Sequence, residues 1–435
     1  MTVTSPGHAI PGSPGRAARP AQLPRLLPHG GGVTGLPAHL ARHGALPYRG
    51  AAGLLISEVA DAGLTGRGGA AFPVARKLAA VAAGRRPVVV ANGAESEPLS
   101  GKDASLLHSS PHLVLDGLQL AAEAVGARRA ILYVPARLSA GGWLGTVLAQ
   151  RAAAGLDRTE VELAQTPPGF LSGQETALVD AINGGPGRPV FTPPRIFERG
   201  VAGRPTLVQN AETLAHLALI ARFGPTWFRG AGTAAEPGSM LATRWQADGR
   251  RGVVEAELGT PLRNLIAFGG HSRALLVGGY HGTWLPASQA EHLTLSNASL
   301  RPAGASVGAG VIAALPAGCC GLAETARVVR YLALESAGQC GPCLNGLPRI
   351  AAALAELAAS RPGPRVISDL ERWAGLVSGR GACHHPDGTV RFVRSALTVF
   401  APEIAAHSAG HCTAMTSRPF LPVPAGGPAR GGAQR

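Results

Sequence analysis

The sequence predicts an α/β layer built on a largely parallel sheet, followed by a C-terminal unit made only of helices. Short β-branched runs at 87–91 and 130–134 flank the segment 112–127, whose apolar residues recur at helical spacing. Strands that alternate with helices are typical of a parallel sheet covered by helices. From about residue 322, apolar stripes at three- and four-residue spacing replace the strand pattern, which predicts helices.

Length and charge limit the class of protein. A chain of 435 residues is long enough for roughly two to four domains. The net charge is +14, but Lys and Arg are scattered without a basic run, so nucleic-acid binding is not indicated. The longest uncharged stretch, 302–323, is broken by glycines and prolines, which predicts no membrane span. The chain lacks a signal-peptide pattern, and its six cysteines favour a cytoplasmic, reducing location.

Five segments are predicted along the chain. They are a disordered arm at 1–30, the α/β layer at 31–238, a small β-grasp module at 239–310, the helical unit at 311–412 and a disordered tail at 413–435. Within the β-grasp module, 262–268 is predicted to be a short helix. In the helical unit, Ser368–Glu371 resembles a capping box that begins one helix, and 389–406 is predicted to be the final long helix.

A glycine-rich loop is the densest candidate for ligand binding. Residues 66–69 are Gly-Arg-Gly-Gly, and Phe72 and Lys77 follow. Closely spaced glycines let backbone N–H groups approach a phosphate or a flat ring. Arg67 and Lys77 add positive charge, and Phe72 offers a stacking face. The pattern differs from G-x-G-x-x-G, and a flexible surface turn is the alternative interpretation.

Polar side chains follow the first predicted strand. Asn92, Glu95 and Glu97 lie at its carboxyl end, where α/β sheets bind ligands. Short amides and carboxylates there can hydrogen-bond ribityl or ribose hydroxyls. Glu175 and Asn210 lie at predicted helix N-termini, which attract phosphate, and Asn210 suits an N-cap. An acidic surface loop and plain helix caps are the alternatives.

Three cysteines predict a metal centre. Cys340 and Cys343 form a C-x-x-C pair in a loop between two predicted helices, and Cys383 precedes the last helix. Several thiolates from one loop and one from a distant segment are typical of iron–sulfur clusters, although three thiols also suit zinc. Ala337 stands three residues before Cys340, where a further cysteine would be expected.

The remaining cysteines and two histidines are given structural roles. The adjacent Cys319 and Cys320 are expected to be small buried residues, and Cys412 is expected to be a free thiol. His384 and His385 follow Cys383 directly and are expected at the surface, with metal ligation as the alternative.

Taken in order, these segments resemble the flavin-bearing, NADH-oxidising subunit of respiratory complex I and the diaphorase subunits of NAD-linked hydrogenases and formate dehydrogenases. The resemblance covers about 54–411. The family patterns G-R-G-G-A-x-F-P…K, N-x-x-E-x-E-P…K-D, G-E-E-T-A-L and P-T…N-N-x-E-T-L match segments that begin at Gly66, Asn92, Gly173 and Pro205. The pattern E-S-C-G-x-C-x-P-C-x-x-G falls on residues 335–346.

The resemblance implies a Rossmann-like FMN-binding domain, an SLBB-like β-grasp module and a helical domain that holds a [4Fe-4S] cluster. Hydride would pass from NADH to the flavin, and electrons would leave through iron–sulfur centres. The FMN residues would be Gly66, Arg67, Gly68, Gly69, Lys77, Asn92, Glu95, Glu175, Asn210 and Thr213. The NADH residues would be Phe72, Glu97 and Glu175, and the cluster ligands Cys340, Cys343 and Cys383.

The partner implied by this family is an iron–sulfur electron acceptor, either a thioredoxin-like [2Fe-2S] subunit or a ferredoxin. The implied location is cytoplasmic, peripheral to a membrane complex. Neither the acceptor nor membership of complex I follows from the sequence.

The sequence departs from the family at functional positions. An acidic residue is replaced by Ala94, glutamate by Gln174, tyrosine by Phe170, lysine by Thr192, phenylalanine by Arg195, an aromatic residue by Ala80 and a cluster cysteine by Ala337. Two functions therefore stay open: an NADH-oxidising electron-transfer subunit, and a paralogue that keeps the fold for docking or assembly. The three cysteines would hold a [3Fe-4S] centre, a [4Fe-4S] centre with a different fourth ligand, or no cluster.

Overall fold

The first part of the chain forms a four-stranded parallel sheet covered by helices. The computed structural model describes residues 23–50, 52–139, 142–360, 362–416 and 418–424. The elements of this part are α1 (Leu36–His43), α2 (Ala52–Ala62), α3 (Val74–Ala82), β1 (Val88–Asn92), α4 (Lys102–Ser109), α5 (Pro111–Val125), β2 (Arg129–Pro135), α6 (Ala136–Ser139), α7 (Trp143–Ala153), β3 (Val161–Thr166), α8 (Glu175–Ile182), β4 (Thr206–Asn210), α9 (Ala211–Phe223) and α10 (Pro225–Arg229). The strand order is β3-β2-β1-β4.

The predicted parallel layer is confirmed. All three strand pairs of this sheet are parallel, and the valines of β1 are buried on both faces, as a sheet between two helical layers requires. Helices α5 and α9 cross closely at Gly117, where an added Cβ would lie 1.9 Å from the carbonyl oxygen of Leu214. Glycine is therefore the residue that permits this crossing, which sets the position of the α9 N-terminus beside the sheet edge.

A buried ion-pair network joins four helices of this layer. The Asp116 carboxylate on α5 contacts His39 on α1 at 2.7 Å, Arg151 on α7 at 2.8 Å and Arg222 on α9 at 2.5 Å. Burial alone would raise the pKa of Asp116, but these partners hold it at about 2. The Asp116 carboxylate therefore stays charged at neutral pH.

The second part is a mixed five-stranded sheet. Its elements are β5 (Ser239–Trp245), β6 (Arg251–Glu257), β7 (Ser272–Val277), β8 (Thr283–Pro286), α11 (Ala287–Ala290), α12 (Asn297–Leu300) and β9 (Val311–Pro316), with strand order β6-β5-β9-β7-β8. Because β9 lies in the middle of this sheet, the unit extends to Pro316, and the predicted boundary at 310 is wrong. The predicted helix at 262–268 is a single 3-10 turn, Leu262–Asn264.

The helical unit consists of α13 (Gly321–Leu334), α14 (Leu347–Ala358), α15 (Val366–Val377), α16 (His385–Val399) and α17 (Ala401–Ser408). Helix α15 begins before Ser368, whose hydroxyl donates to the Arg365 carbonyl, so the predicted capping box is wrong. The predicted final helix is two helices that meet at Phe400. Pro402 lacks the N–H group that would continue the hydrogen-bond pattern of α16, which accounts for the break.

Parts of the predicted arm and tail are ordered. Leu26 is buried, and Arg25 donates to the Phe228 carbonyl. Leu421 is also buried, and its N–H donates to Glu324 at 2.8 Å. Disorder is therefore the wrong description for 23–30 and 418–424, while 1–22 and 425–435 lie outside the described residues. No helix in the described part is long and apolar enough to span a membrane.

Candidate functional site

One cavity of about 370 Å³ lies where all three parts of the chain meet. The α/β layer supplies the glycine loop and the segments after β1 and before α8. The mixed sheet supplies two glycine turns, and the helical unit supplies the segment that leads into α16 together with the first turns of that helix. Its walls include Gly68, Gly69, Ser96, Glu97, Phe170, Gly173, Gly278, His281, Gly308, Cys383 and His385. Glycine-rich walls with one aromatic ring suit a flat ligand.

The glycine loop divides its residues between the cavity and the core. Gly68 and Gly69 line the cavity, and Gly69 has a φ of 110°, a conformation that favours glycine. Arg67 is buried, and its guanidinium donates to the Ser239 carbonyl at 3.2 Å. Its backbone N–H donates to the buried Thr213 hydroxyl at 2.9 Å. Arg67 and Thr213 therefore fix the loop instead of facing a ligand.

Asn92 and Glu95 brace the loops at the end of β1. The Asn92 amide donates to the Gly173 carbonyl at 2.9 Å, which joins this loop to the start of α8. The Glu95 carboxylate accepts the N–H groups of Asp103 and Ala104, at 3.0 and 3.1 Å, and so caps α4. Both side chains use their hydrogen-bonding groups within the protein.

A buried charge cluster lies behind this edge of the sheet. Lys102 Nζ lies 2.8 Å from Asp103, 2.9 Å from Glu212 and 3.2 Å from the Asn210 side-chain oxygen. Burial raises the pKa of Asp103 to about 6, whereas Lys102 outweighs burial at Glu212 and lowers its pKa to about 2. Asn210 is confirmed as the N-cap of α9. Lys102, Asp103 and Glu212 were absent from the predicted site residues, although all three stand within the matched family patterns.

Next to Asn210, the side-chain amide nitrogen of Gln209 is a hydrogen-bond donor without an acceptor among the described residues. The Gln209 side chain is buried. An unsatisfied buried amide is costly, so a ligand acceptor at this strand end would stabilise it.

Lys77 and Glu175 form an ion pair, and Lys77 also donates to the Val208 carbonyl at 3.1 Å. Glu175 begins α8, as predicted. The preceding Gln174 caps that helix by accepting the N–H groups of Thr176 and Ala177, both at 2.9 Å. Glutamine therefore fulfils the capping role at a position where the family has glutamate.

Two of the residues predicted to bind NADH differ in exposure: Phe72 is exposed, whereas Glu97 is enclosed in the cavity wall. Phe72 is 45% exposed, and the Arg76 guanidinium lies 5.6 Å from its ring centre. Glu97 lines the cavity and accepts the N–H groups of Tyr280, at 2.8 Å, and Leu99, at 3.2 Å. Burial raises the pKa of Glu97 to about 7.

The three predicted cluster cysteines lie close enough to influence one another's ionisation. Cys343 is buried in a π-helical turn, Pro342–Gly346. Burial, together with the Cys340 and Cys383 thiols, raises the pKa of Cys343 to about 12. Thiolates in this environment require nearby positive charge, which metal ions supply. Three thiols suit an iron–sulfur or zinc centre by their chemistry, but among the described residues their sulfur atoms do not all lie within 4.8 Å of one another.

The cysteine loop is tied to the cavity wall. The Glu335 carboxylate accepts the Phe170 N–H at 2.7 Å. The Phe170 ring packs edge-on against His281, with ring centres 4.8 Å apart. His281 Nε2 lies 3.0 Å from His385 Nδ1, and His385 Nε2 lies 2.8 Å from the Leu332 carbonyl.

Because it is buried, His385 is not the surface residue that the sequence predicted, whereas His384 is exposed. Burial lowers the pKa of His385 to about 4 and that of His281 well below its usual value, so both rings are neutral. Sequence reasoning missed His281, because nothing near it in the chain marks it as part of a site.

Comparison with known proteins identifies the family. The family model of the Nuo51 FMN-binding domain matches residues 59–219, and that of the NADH-ubiquinone oxidoreductase-F iron-sulfur binding region matches residues 323–407. The F subunit of NADH-quinone oxidoreductase from Mycobacterium tuberculosis (strain ATCC 25618 / H37Rv) is 30% identical over 384 residues, covering 82% of this chain and 85% of that protein. The chain belongs to the family of NADH-quinone oxidoreductase F subunits.

Further relatives agree with this assignment. The F 2 subunit of NADH-quinone oxidoreductase from Rhizobium meliloti (strain 1021) is 28% identical over 81% of this chain and 88% of that protein. An NAD⁺-reducing [NiFe]-hydrogenase in the air-oxidised state superposes with a TM-score of 0.75 at 30% identity, covering 82% of this chain. This chain spans 63% of that hydrogenase chain, less than two thirds of its length. The mixed α/β fold with a parallel sheet is therefore that of the F-subunit family.

The pKa of Glu97 predicts a pH dependence of stability. A carboxyl whose pKa is raised from 4.5 to about 7 stabilises the fold fully below about pH 4.5. This contribution, up to about 3 kcal/mol, is lost as pH rises to about 7. We expect the free energy of unfolding in urea to fall over this range by less in Glu97→Gln than in the unsubstituted chain. Equal pH profiles would contradict the assignment.

The family resemblance implies a further cluster cysteine at the position of Ala337. Ala337→Cys should raise the iron content per chain, because it would add a fourth thiolate to those of Cys340, Cys343 and Cys383. Iron and acid-labile sulfide are to be measured after anaerobic purification. Ala337→Ser has nearly the same size but ligates iron poorly, so it serves as the control. Absence of iron from both the cysteine variant and the unsubstituted chain would show that the loop does not close around a cluster.

Proposed function

We propose that this chain is a flavoprotein subunit that passes electrons from NADH through FMN to an iron–sulfur centre. The family models match an FMN-binding domain and an iron-sulfur binding region, and the homologues are named as NADH-quinone oxidoreductase subunits. No observation favours a non-catalytic docking paralogue, which was the alternative from sequence.

One observation carries the proposal: a single cavity is lined by both Gly68–Gly69 and Cys383. Gly68 and Gly69 belong to the family pattern that begins at Gly66, and they face the cavity. Cys383 is a predicted cluster ligand. A flavin bound there would lie against the segment that holds the metal centre. Transfer of single electrons requires that the protein hold the flavin and the metal centre a short distance apart.

The chain's own residues would bind and enclose the cofactors. Gly68 and Gly69 line the cavity and allow close approach of a ring. Phe170 closes one wall and excludes water. FMN, when bound, supplies the chemistry that accepts a hydride and releases electrons singly. Cys340, Cys343 and Cys383 would hold the iron.

NADH would bind to a surface that differs from the family pattern at several positions. Glu97, Phe72 and Glu175 are the residues proposed for NADH; of these, Glu97 lines the cavity. Glu97 is protonated below about pH 7, which lessens repulsion of the nucleotide phosphates. The Lys77 ammonium offsets the charge of Glu175 by forming an ion pair with it. The losses at Ala94, Thr192 and Ala80 are expected to weaken NADH binding without removing the flavin site.

The finer divisions of the fold belong to the same proposal. Residues 31–238 would be a Rossmann-like FMN domain, the mixed sheet to Pro316 an SLBB-like module, and the helices beyond it the iron–sulfur domain. The partner would be another subunit of an oxidoreductase complex, with a thioredoxin-like [2Fe-2S] subunit or a ferredoxin as acceptor. The net charge of +14 favours an acidic partner surface.

The proposal is tested by anaerobic purification and an absorption spectrum. We expect about one FMN per chain and loss of flavin absorbance on adding NADH. Gly68→Val should abolish flavin binding, because its side chain would enter the cavity beside Asn210. Gly252→Val is the matched control, since Gly252 lies on β6 with open space at its Cβ position.

A folded chain without FMN, even after addition of free FMN, would overturn the proposal. Bound FMN that NADH does not reduce would remove NADH as the donor. Zinc in place of iron and sulfide at the three cysteines would exclude the electron-transfer role of that centre.

A further inference from the structure

Three potential metal ligands lie close together at the N-terminal end of α13. The loop that carries Cys340 and Cys343, here called the cluster loop, follows the other end of this helix. The ligand atoms of Cys320, His407 and Cys412 all lie within 4.8 Å of one another. Cys320 and His407 are buried, and Cys412 is exposed. Cys320 precedes the first residue of α13, whereas Glu335 and the cluster loop follow its last. A helix of 14 residues is about 20 Å long, so the two cysteine groups are separate sites.

Hydrogen bonds orient the two buried side chains, Cys320 and His407, so that their ligand atoms face each other. His407 Nδ1 lies 2.9 Å from the Leu357 carbonyl and must donate to it, so the lone pair of a neutral imidazole is on Nε2. That nitrogen lies 3.6 Å from Cys320 Sγ, close to the edge of about 3.5 Å expected between sulfur and nitrogen ligands of a tetrahedral zinc ion. A histidine oriented by a backbone carbonyl is typical of metal sites. Cys320 Sγ accepts the Ala323 N–H at 3.4 Å, which caps α13 and fixes the position of the sulfur.

A carboxylate completes the surroundings. Glu403 Oε2 lies 3.6 Å from Cys320 Sγ and accepts the Gly321 N–H at 2.9 Å. Its other oxygen pairs with Arg273. Two thiolates and a neutral imidazole balance a divalent cation, and Arg273 balances Glu403, so the loaded site would carry no net charge.

We propose that Cys320, His407 and Cys412 bind one zinc ion, with Glu403 or water as the fourth ligand. Mixed thiolate and imidazole donors at tetrahedral spacing suit zinc better than the oxygen-preferring cations. The site is independent of the FMN and cluster proposals, since it shares no residue with them.

The ion would fasten the C-terminal segment to the helical unit. Beyond Cys412, the Met415 N–H donates to the Gly318 carbonyl at 3.0 Å, and the Phe420 N–H donates to Glu324 at 3.0 Å. Cys412 therefore lies at the start of a segment that runs back along α13. A metal bond at its first residue would hold this segment against α13.

The test uses the full chain, purified anaerobically without chelator and analysed for zinc and iron by mass spectrometry. We expect about one zinc ion per chain, and at least a tenfold loss of zinc in Cys412→Ser with iron and flavin unchanged. Cys412 is exposed, so this variant should fold. Cys319→Ser is the matched control, because Cys319 is adjacent to Cys320 and outside the group.

Cobalt substitution reports the ligands directly. Co²⁺ added to the chelator-treated chain should give thiolate-to-cobalt charge-transfer absorption that is weakened in Cys412→Ser and retained in Cys319→Ser. Absence of zinc after purification and after addition of Zn²⁺ would overturn the proposal. Equal zinc in Cys412→Ser and the unsubstituted chain, or a Cys320–Cys412 disulfide in the anaerobically purified protein, would also overturn it.

Discussion

Replacing Lys102 with methionine should destabilise the chain by about 3–5 kcal/mol and weaken FMN binding at least about tenfold. The ammonium group lies within 3 Å of both Asp103 and Glu212, and all three side chains are buried. Without it, two carboxylates share one buried space and one must take up a proton. Asn210, which contacts Lys102 and caps α9, would shift with them. Urea unfolding and flavin titration of the variant measure the two effects.

A second substitution separates charge from packing in this prediction. In Lys102→Met with Glu212→Gln, one carboxylate charge is removed together with the ammonium. The loss in free energy of unfolding in this double variant should be about 1–3 kcal/mol smaller than the sum of the losses in the two single variants. Additive single effects would show that the ammonium does not hold the carboxylates.

Asp116→Ala should also lower the free energy of unfolding by about 3–5 kcal/mol, because it leaves Arg222 buried without its carboxylate, whereas Arg151 keeps Asp157 as a partner at 2.7 Å. Urea unfolding at pH 7 measures this loss. The control is Asp248→Ala, since Asp248 and Arg250 form a pair with side chains 52% and 79% exposed. Water and salt screen this exposed pair, so its removal should leave the free energy of unfolding essentially unchanged. A loss below about 1 kcal/mol in Asp116→Ala would show that the buried arginines find other partners.

Local patterns in the sequence predict the elements of this fold well. The valine run at β1 and the apolar spacing of α5 predict both elements to within two residues. Asn210 and the start of α8 are correct because capping depends on neighbours in the chain. The final helix is predicted too long, since its apolar stripe continues past Pro402 although the hydrogen-bond pattern does not.

Contacts between distant segments account for what the sequence could not predict. Arg67 was assigned to phosphate, yet its guanidinium binds the Ser239 carbonyl, 172 positions away. His281 joins the cavity only because the mixed sheet packs against α16. The central position of β9 likewise depends on sheet pairing, which no local pattern records. Family resemblance supplied the cysteine and glycine residues, but not the direction in which each side chain points.

The shared cavity has a consequence for the order of maturation. Its walls come from residues as far apart as Gly68 and His385, so a nascent chain still on the ribosome before residue 385 has no closed pocket. Cofactor insertion therefore follows synthesis of the helical unit. Chains truncated before residue 385 should therefore retain little flavin, so the flavin content of the purified chain would report the fraction whose three parts have docked.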